Sequence, residues 1–272
     1  MTAHAGEREL HLKSGATRVR VSGEGRPFVW THGFTSSMAA EDAIGSSALF
    51  ADLPGVQLVR YDARGHGRSA PGRDDAATSW SSLALDLLEL CDAFALARPI
   101  AGGASMGVAT TLYAALRAPE RFSALVLFIP PTAWETRKAQ ADLYRGGAAL
   151  VEARGVEGYV EAVRAALRER PMTGLGEEGE RAMLDAMRAH TAPELARLLR
   201  GAAASDLPSP DAIAKLALPT LILPVAGDPG HPLSTAERLH QRIAGSELHV
   251  LRDLAALGDA RAVVARFLDG VG

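Results

Sequence analysis

The chain has 272 residues, 47% of them apolar and 22% charged, with a formal net charge of −3. That is the composition of a folded globular protein, long enough for one domain with an insertion, and it excludes a disordered or collagen-like chain. The near-neutral balance, without any run of Lys or Arg, offers no footprint for nucleic acid or an anionic membrane, so neither is expected as a partner. Residues Met1 to Leu10 are polar and lack the apolar stretch of a signal peptide, and 101–118 is too short and mixed to span a bilayer. A cytoplasmic protein is expected. The single cysteine, Cys91, rules out an intrachain disulfide framework and reads as a small buried hydrophobe in an apolar helical run.

Along the chain, short β-type runs alternate with helical ones, the pattern of a parallel sheet flanked by helices. Strands are expected at Glu9–Lys13, Thr17–Ser22, Pro27–Thr31, Val56–Asp62, Pro99–Gly103, Ala124–Ile129, Thr220–Val225 and Glu247–Leu251. The first two alternate in polarity, as an exposed hairpin does, whereas Leu125 to Ile129 is continuously apolar, as a strand covered on both faces should be. Helices are expected around Glu41–Asp52, Ser81–Ala95, Met106–Arg117, Ser234–Ala244 and Asp259–Leu268, with Leu83, Leu87, Leu90 and Phe94 giving the second an apolar face. From Pro130 to about Leu216 the chain turns rich in Ala, Arg and Glu and shows no convincing strand, which reads as a helical insertion between two strands.

The strongest local signal is Gly103-Ala104-Ser105-Met106-Gly107, a G-x-S-x-G between an apolar strand and an apolar helix. A serine on so sharp a turn leaves no room for side chains two residues to either side, and glycine there relieves the clash. The same turn aims the N-terminus of the following helix at the hydroxyl, so the Met106 amide can stabilise an oxyanion. A glycine-rich turn with an incidental serine is the competing reading.

Other segments fall in the order of the α/β-hydrolase fold, and the chain resembles that superfamily from about residue 9 to residue 268. Thr31-His32-Gly33-Phe34 resembles its oxyanion loop, and Asp62-Ala63-Arg64-Gly65-His66-Gly67-Arg68-Ser69 its D-x-R-G-x-G-x-S turn. Pro119-Glu120-Arg121-Phe122 resembles the segment after the nucleophile helix; Pro219 to Leu223, with Gly227-Asp228 following, resembles the strand and loop that carry the triad acid. The resemblance implies an α/β fold with a mostly parallel eight-stranded sheet, a core of residues 1–130 and 217–272, and a helical cap at 131–216. It implies Ser105 as nucleophile, the Phe34 and Met106 amides as oxyanion hole, and Asp228 as the acid that orients a histidine. His32 would then support the oxyanion loop, and His66 would pack in its turn. Asp228, in a Gly-Asp-Pro-Gly segment, also reads simply as a turn residue.

The base is missing from its usual place. In this superfamily it follows the last strand, a position that falls near Ala256 here, and no histidine occurs after His249. A serine hydroxyl is a poor nucleophile without a neighbouring base. The best substitute is His231, in Asp228-Pro229-Gly230-His231-Pro232, three residues from the acid, though its loop would have to reach across an intervening strand. Alternatively, His231-Pro232 merely starts a helix. His240 on that helix, and His190 reaching down from the cap, are the other candidates.

Two classes of function therefore stand side by side. One is a serine hydrolase of a carboxylic ester, lactone or related acyl compound, acting on a small molecule. The other is a lyase, cyclase or non-catalytic binding protein on the same scaffold. No metal constellation, dinucleotide fingerprint or phosphate loop is visible, so no cofactor is expected. In the insertion, Trp134, Leu143, Tyr144, Leu150, Tyr159, Val160, Met183, Leu184 and Met187 are candidates for an apolar pocket lining, with burial against the core or one another as the competing reading for most of them. Arg137, Lys138 and Arg145 read as solvated surface.

Overall fold

The computed structural model describes residues 6–170 and 174–271. Its strands are β1 (Gly6–Leu12), β2 (Gly15–Ser22), β3 (Arg26–Thr31), β4 (Val56–Tyr61), β5 (Ile100–Ala104), β6 (Ala124–Phe128), β7 (Thr220–Leu223) and β8 (Glu247–Leu248). They form one eight-stranded sheet in the order β1-β2-β4-β3-β5-β6-β7-β8. β2 runs antiparallel to β1 and to β4, and every other pairing is parallel. The α/β-hydrolase fold expected from the motifs is the fold observed.

The alternating strands lie at the edge, where β1 is largely exposed, and the continuously apolar β5 and β6 are buried along their whole length at the centre. Helices cover both faces. On one face α2 (Trp80–Ala93), α3 (Met106–Arg117) and α8 (Leu233–Arg242) bury Leu83, Leu87, Leu90, Leu112 and Leu239 against the sheet. On the other, α9 (Leu257–Gly270) packs Val264 and Phe267 with Phe28, Trp30 and Phe50. Such burial contributes roughly 1.5–3 kcal/mol for each large apolar side chain. Cys91 lies within the first of these faces, and burial pushes its thiol up to about 12. It therefore stays a protonated, unreactive hydrophobe near neutral pH.

Several boundaries differ from expectation: β1 begins at Gly6 and not at Glu9, and β7 ends at Leu223 and not at Val225. The helix expected over Glu41–Asp52 begins earlier and splits into α1 (Met38–Ile44) and a 3₁₀ turn at Ser46–Leu49, because Gly45 takes a left-handed conformation at φ 85°. β8 ends at Leu248, not at Leu251; beyond it the His249 N–H still donates to Ile222 O at 2.9 Å, and Val225 bridges Leu251.

Between β6 and β7 the chain carries α4 (Arg137–Glu169), α5 (Gly176–Arg188), α6 (Ala192–Ala203) and α7 (Pro210–Ile213), with no strand among its described residues. These helices bury apolar clusters of their own, one around Val151, Leu195 and Leu199, another around Val160, Leu184 and Met187. Leu143, a candidate lining residue, instead faces solvent at 68% exposure. Among the described residues no helix is long and apolar enough to cross a membrane.

The order of the strands locates the crevice. The chain runs from β3 outward to β4, then returns to lay β5 on the other side of β3. At such a reversal the connections leave in opposite directions and open a cleft beyond the carboxyl ends of the strands. Thr31 pairs with Gly103 there, so the loop after β3 and the turn after β5 begin level with each other.

Candidate active site

Ser105 sits on that turn with φ 52° and ψ −107°, a strained conformation for a residue with a side chain. Its N–H donates to Phe128 O at 3.1 Å, tying the turn to the end of β6. Glycine is required on both sides for steric reasons. A Cβ on Gly103 would lie 2.5 Å from the Gly107 carbonyl carbon, and one on Gly107 would lie 2.1 Å from Thr31 O. Strand, turn and helix thus close upon one another, leaving the serine half-exposed at the apex.

The loop after β7 brings His231 and Asp228 to this serine. His231 Nε2 lies 2.8 Å from Ser105 Oγ, and His231 Nδ1 lies 2.8 Å from Asp228 Oδ2. These partners assign the tautomer: Nδ1 carries the proton and faces the carboxylate, leaving Nε2 free to accept from the hydroxyl. The loop holds itself in shape. Asp228 Oδ1 accepts from the Gly230 N–H at 2.9 Å, and the His231 N–H donates to Asp228 O at 3.2 Å. Burial pushes the Asp228 carboxyl up, but the hydrogen bonds and charge of His231 and the Gly230 amide outweigh it and hold the group below the usual carboxylate range. It is ionised at neutral pH.

The imidazole crosses the intervening strand because the chain beneath it turns aside. Phe128 and Leu223 pair at the ends of β6 and β7, so the two strands finish level. Ile129 then adopts φ 44°, costly for a β-branched residue, and donates its N–H to Leu223 O at 2.9 Å. Thr132 N–H bonds Gly230 O at 3.2 Å and moors the far side of the histidine loop. Pro232 forms the N-cap of α8, so the proline starts the helix while the preceding histidine points back to Ser105.

Phe34 follows β3 across the crevice. The Gly33–Phe34 peptide is held from its carbonyl side: Gly33 O accepts from His32 Nδ1 at 2.7 Å and from the Ser36 N–H at 3.2 Å. In a trans peptide the N–H points opposite to the carbonyl, so these bonds direct the Phe34 N–H. The other nitrogen of His32 accepts from the Ala63 N–H at 2.9 Å, leaving that ring no capacity to act as a base. Met106 opens α3, where the first N–H groups of a helix lack internal partners.

The other candidate histidines lie away from Ser105 in contacts of their own. His66 is buried in its turn with Nδ1 3.1 Å from Arg64 O, and His190 is buried with Nδ1 3.3 Å from Met187 O. His240 lies on the exposed face of α8, its Nδ1 2.9 Å from Ser246 Oγ. Ala256 ends a small turn capped by Asp253, whose Oδ1 accepts from the Ala256 N–H at 3.1 Å. Among the described residues no group of three or more His, Cys, Asp or Glu side chains is placed to hold a metal ion.

Arg137, read from its type as a surface residue, is only 4% exposed. Its Nε donates to Ser205 O at 2.7 Å, while Lys138 and Arg145 do face solvent. The available signal was its place in the helical stripe Arg137, Ala141, Tyr144, Ala148, Val151, whose other members are apolar or aromatic.

The comparisons with known proteins agree with this architecture. A protein of Variovorax paradoxus named "Putative carbamate hydrolase RutD" is 30% identical over 200 residues, covering 72% of this chain and 73% of the relative. A hydrolase from Pseudomonas aeruginosa superposes with a TM-score of 0.79 at 25% identity, covering 97% of this chain and 99% of that one. The enol-lactonase of Burkholderia xenovorans shares the fold with a TM-score of 0.77 at 18% identity, over 96% and 100% of the two chains. The family model described as serine aminopeptidase, S33 matches residues 28–253, and the chain belongs to that family of α/β-hydrolases.

Proposed function

We propose that the protein is a serine hydrolase of carboxylic esters, lactones or related acyl compounds, with Ser105 as nucleophile, His231 as base and Asp228 as the acid that orients it. The observation that carries this reading is the 2.8 Å separation of His231 Nε2 from Ser105 Oγ, with Asp228 on the opposite ring nitrogen at 2.8 Å. As Oγ attacks the substrate carbonyl carbon, its proton passes to Nε2 and the carbonyl electrons move to oxygen, where the Phe34 and Met106 N–H groups stabilise them. Collapse expels the alcohol, which takes the proton from His231. Water, activated by the same imidazole, then releases the acid and restores the hydroxyl.

Residues 131–216 act in this reading as a cap over Ser105 that shapes the pocket for a small-molecule substrate. A carbamate, the class in the name of the Variovorax relative, fits the same chemistry, since its carbonyl is attacked in the same way. The lyase, cyclase and binding-protein alternatives drew their force from a missing imidazole. With the His231 ring beside Ser105, no specific observation favours them.

Reaction with a fluorophosphonate, followed by intact mass and peptide mapping, tests the proposal. One adduct on Ser105 is expected in the unsubstituted protein, forming at least roughly 10³-fold more slowly in His231→Ala. Absence of the adduct in the unsubstituted protein would end the serine-hydrolase reading, and an equal rate in His231→Ala would remove that histidine as the base.

A further inference from the structure

The Phe34 side chain is one point at which the α4–α7 segment meets the oxyanion loop. Phe34 packs against both the core cluster beneath α2 and α3 and the cluster of Val151, Leu195 and Leu199 above it. Its ring meets Tyr144 of α4 at 5.1 Å between centroids, with planes 54° apart, and the edge of His66 at 6.2 Å and 77°. The main chain here lies outside any helix or strand, and Thr35 has φ 51°. His32 and the Ser36 N–H secure the Gly33 carbonyl, and the Phe34 ring adds packing contacts on the other side of the same peptide.

Tyr144 is itself firmly placed. Two turns earlier on the same face, Arg137 donates from Nη2 to Ala202 O and from Nε to Ser205 O, at the carboxyl end of α6, where a cation is favoured. Its guanidinium lies 4.2 Å from the Trp80 ring centroid on the core side and 5.3 Å from that of Tyr144. The stripe is thereby anchored to the core at one end and rests on Phe34 at the other.

We propose that Tyr144 is a positioning residue: its ring against Phe34 sets the angle of the Gly33–Phe34 peptide and so aims the oxyanion-side N–H, coupling the seating of the cap to the chemical step. The inference rests on the reading of Ser105 as nucleophile and of the Phe34 amide as an oxyanion donor. It separates Tyr144 from an ordinary packing residue, because misaiming a donor penalises the transition state more than the bound substrate.

Three variants, Tyr144→Phe, Tyr144→Leu and Tyr144→Ala, assayed with p-nitrophenyl acetate, test it. The expected result is a fall in kcat of about 10–100-fold for Leu and Ala with KM within about threefold, and rescue to near the unsubstituted rate by Phe, which keeps the ring. A second readout is affinity for a trifluoromethyl ketone, which becomes an oxyanion when Ser105 adds to it, against the matching methyl ketone. Only the first should weaken, in parallel with kcat. Equal weakening of both ketones, a change confined to KM, or a Phe variant as impaired as Leu would each overturn the proposal. If Ala fails to fold, Leu and Phe give the same comparison. An unsubstituted protein that neither turns over ester nor reacts with a fluorophosphonate would remove the Ser105 reading, and this inference with it. A reactive protein whose Tyr144 variants behave alike removes this inference alone.

Discussion

Gly107→Ala tests the closure of the turn and, in the serine-hydrolase reading, the placement of the proposed oxyanion donors in one substitution. The added methyl would lie 2.1 Å from Thr31 O, 2.9 Å from Thr31 C and 3.1 Å from His32 O. All three are main-chain atoms in a buried strand end, so no side chain can swing aside. Relief requires α3 and the end of β3 to separate by about 1 Å, restoring van der Waals contact. Overpacking of that kind costs about 2–3 kcal/mol, which for a chain of this size lowers Tm by about 4–5 °C. The separation also spreads the two donors, since Met106 immediately precedes Gly107 and Phe34 lies just beyond His32. We expect kcat for p-nitrophenyl acetate to fall by about 10²-fold. Calorimetry and steady-state kinetics on the same preparation check both parts. Gly146→Ala is the internal control: it lies on α4, a Cβ there meets nothing within 4 Å, and it should raise stability by about 0.5–1 kcal/mol without touching the rate. A Gly107→Ala protein with unchanged Tm and kcat would show that strand, turn and helix are not closed as described.

Asp228→Asn should keep the fold and lower kcat by about 10⁴, because an amide no longer enforces the tautomer with Nε2 free; a loss under tenfold would remove Asp228 from the orienting role. The buried His66 and His190 predict an acid-side loss of stability. Burial lowers both, His66 with help from the neighbouring His32 and His190, so each takes up a proton less readily folded than at the unfolded value of 6.5. Above pH 6.5 both states are neutral and these rings contribute nothing to pH dependence. As pH falls below 6.5 the unfolded chain binds protons that the folded one refuses, and stability drops by up to about 1.4 kcal/mol per pH unit for each ring. Urea unfolding at pH 7.5 and 5.5 should show a smaller difference for His190→Gln than for the unsubstituted protein, and an unchanged difference would refute the assignment.

What was legible in the sequence was whatever a short stretch of backbone imposes by itself. Gly103 and Gly107 announce the turn because the clash they relieve arises within five residues and against the adjoining strand. β6 reads as a covered strand because Leu125 to Phe128 has no polar side to turn to solvent. At Arg137 the helical stripe signalled a buried face but not the partners that let a guanidinium lie there. Its burial depends on the Ala202 and Ser205 carbonyls, which arrive from the far end of the insertion, and no neighbour in sequence signals them. Leu143 is the converse case, an apolar residue between the buried Ala141 and the half-buried Tyr144 that the turn of the helix carries outward.

The reach of His231 belongs to the same class and bears most directly on function. Whether a loop after β7 can meet a serine after β5 depends on how level β6 finishes and which way the chain leaves it. Those are properties of the pairing of Phe128 with Leu223 and of the left-handed Ile129. The spacing Asp228-x-x-His231 nevertheless has a physical consequence of its own. When acid and base arise from separate loops, their distance depends on two connections moving together. Here the turn that bonds the His231 N–H to Asp228 O and the Gly230 N–H to Asp228 Oδ1 fixes that distance locally. The turn after β8 is correspondingly free of an imidazole, and its Asp253 caps its own main chain. In the serine-hydrolase reading, a one-loop acid–base pair leaves a single joint to be held against Ser105, and the Thr132 to Gly230 hydrogen bond at 3.2 Å holds it from the segment that follows the strand the imidazole crosses.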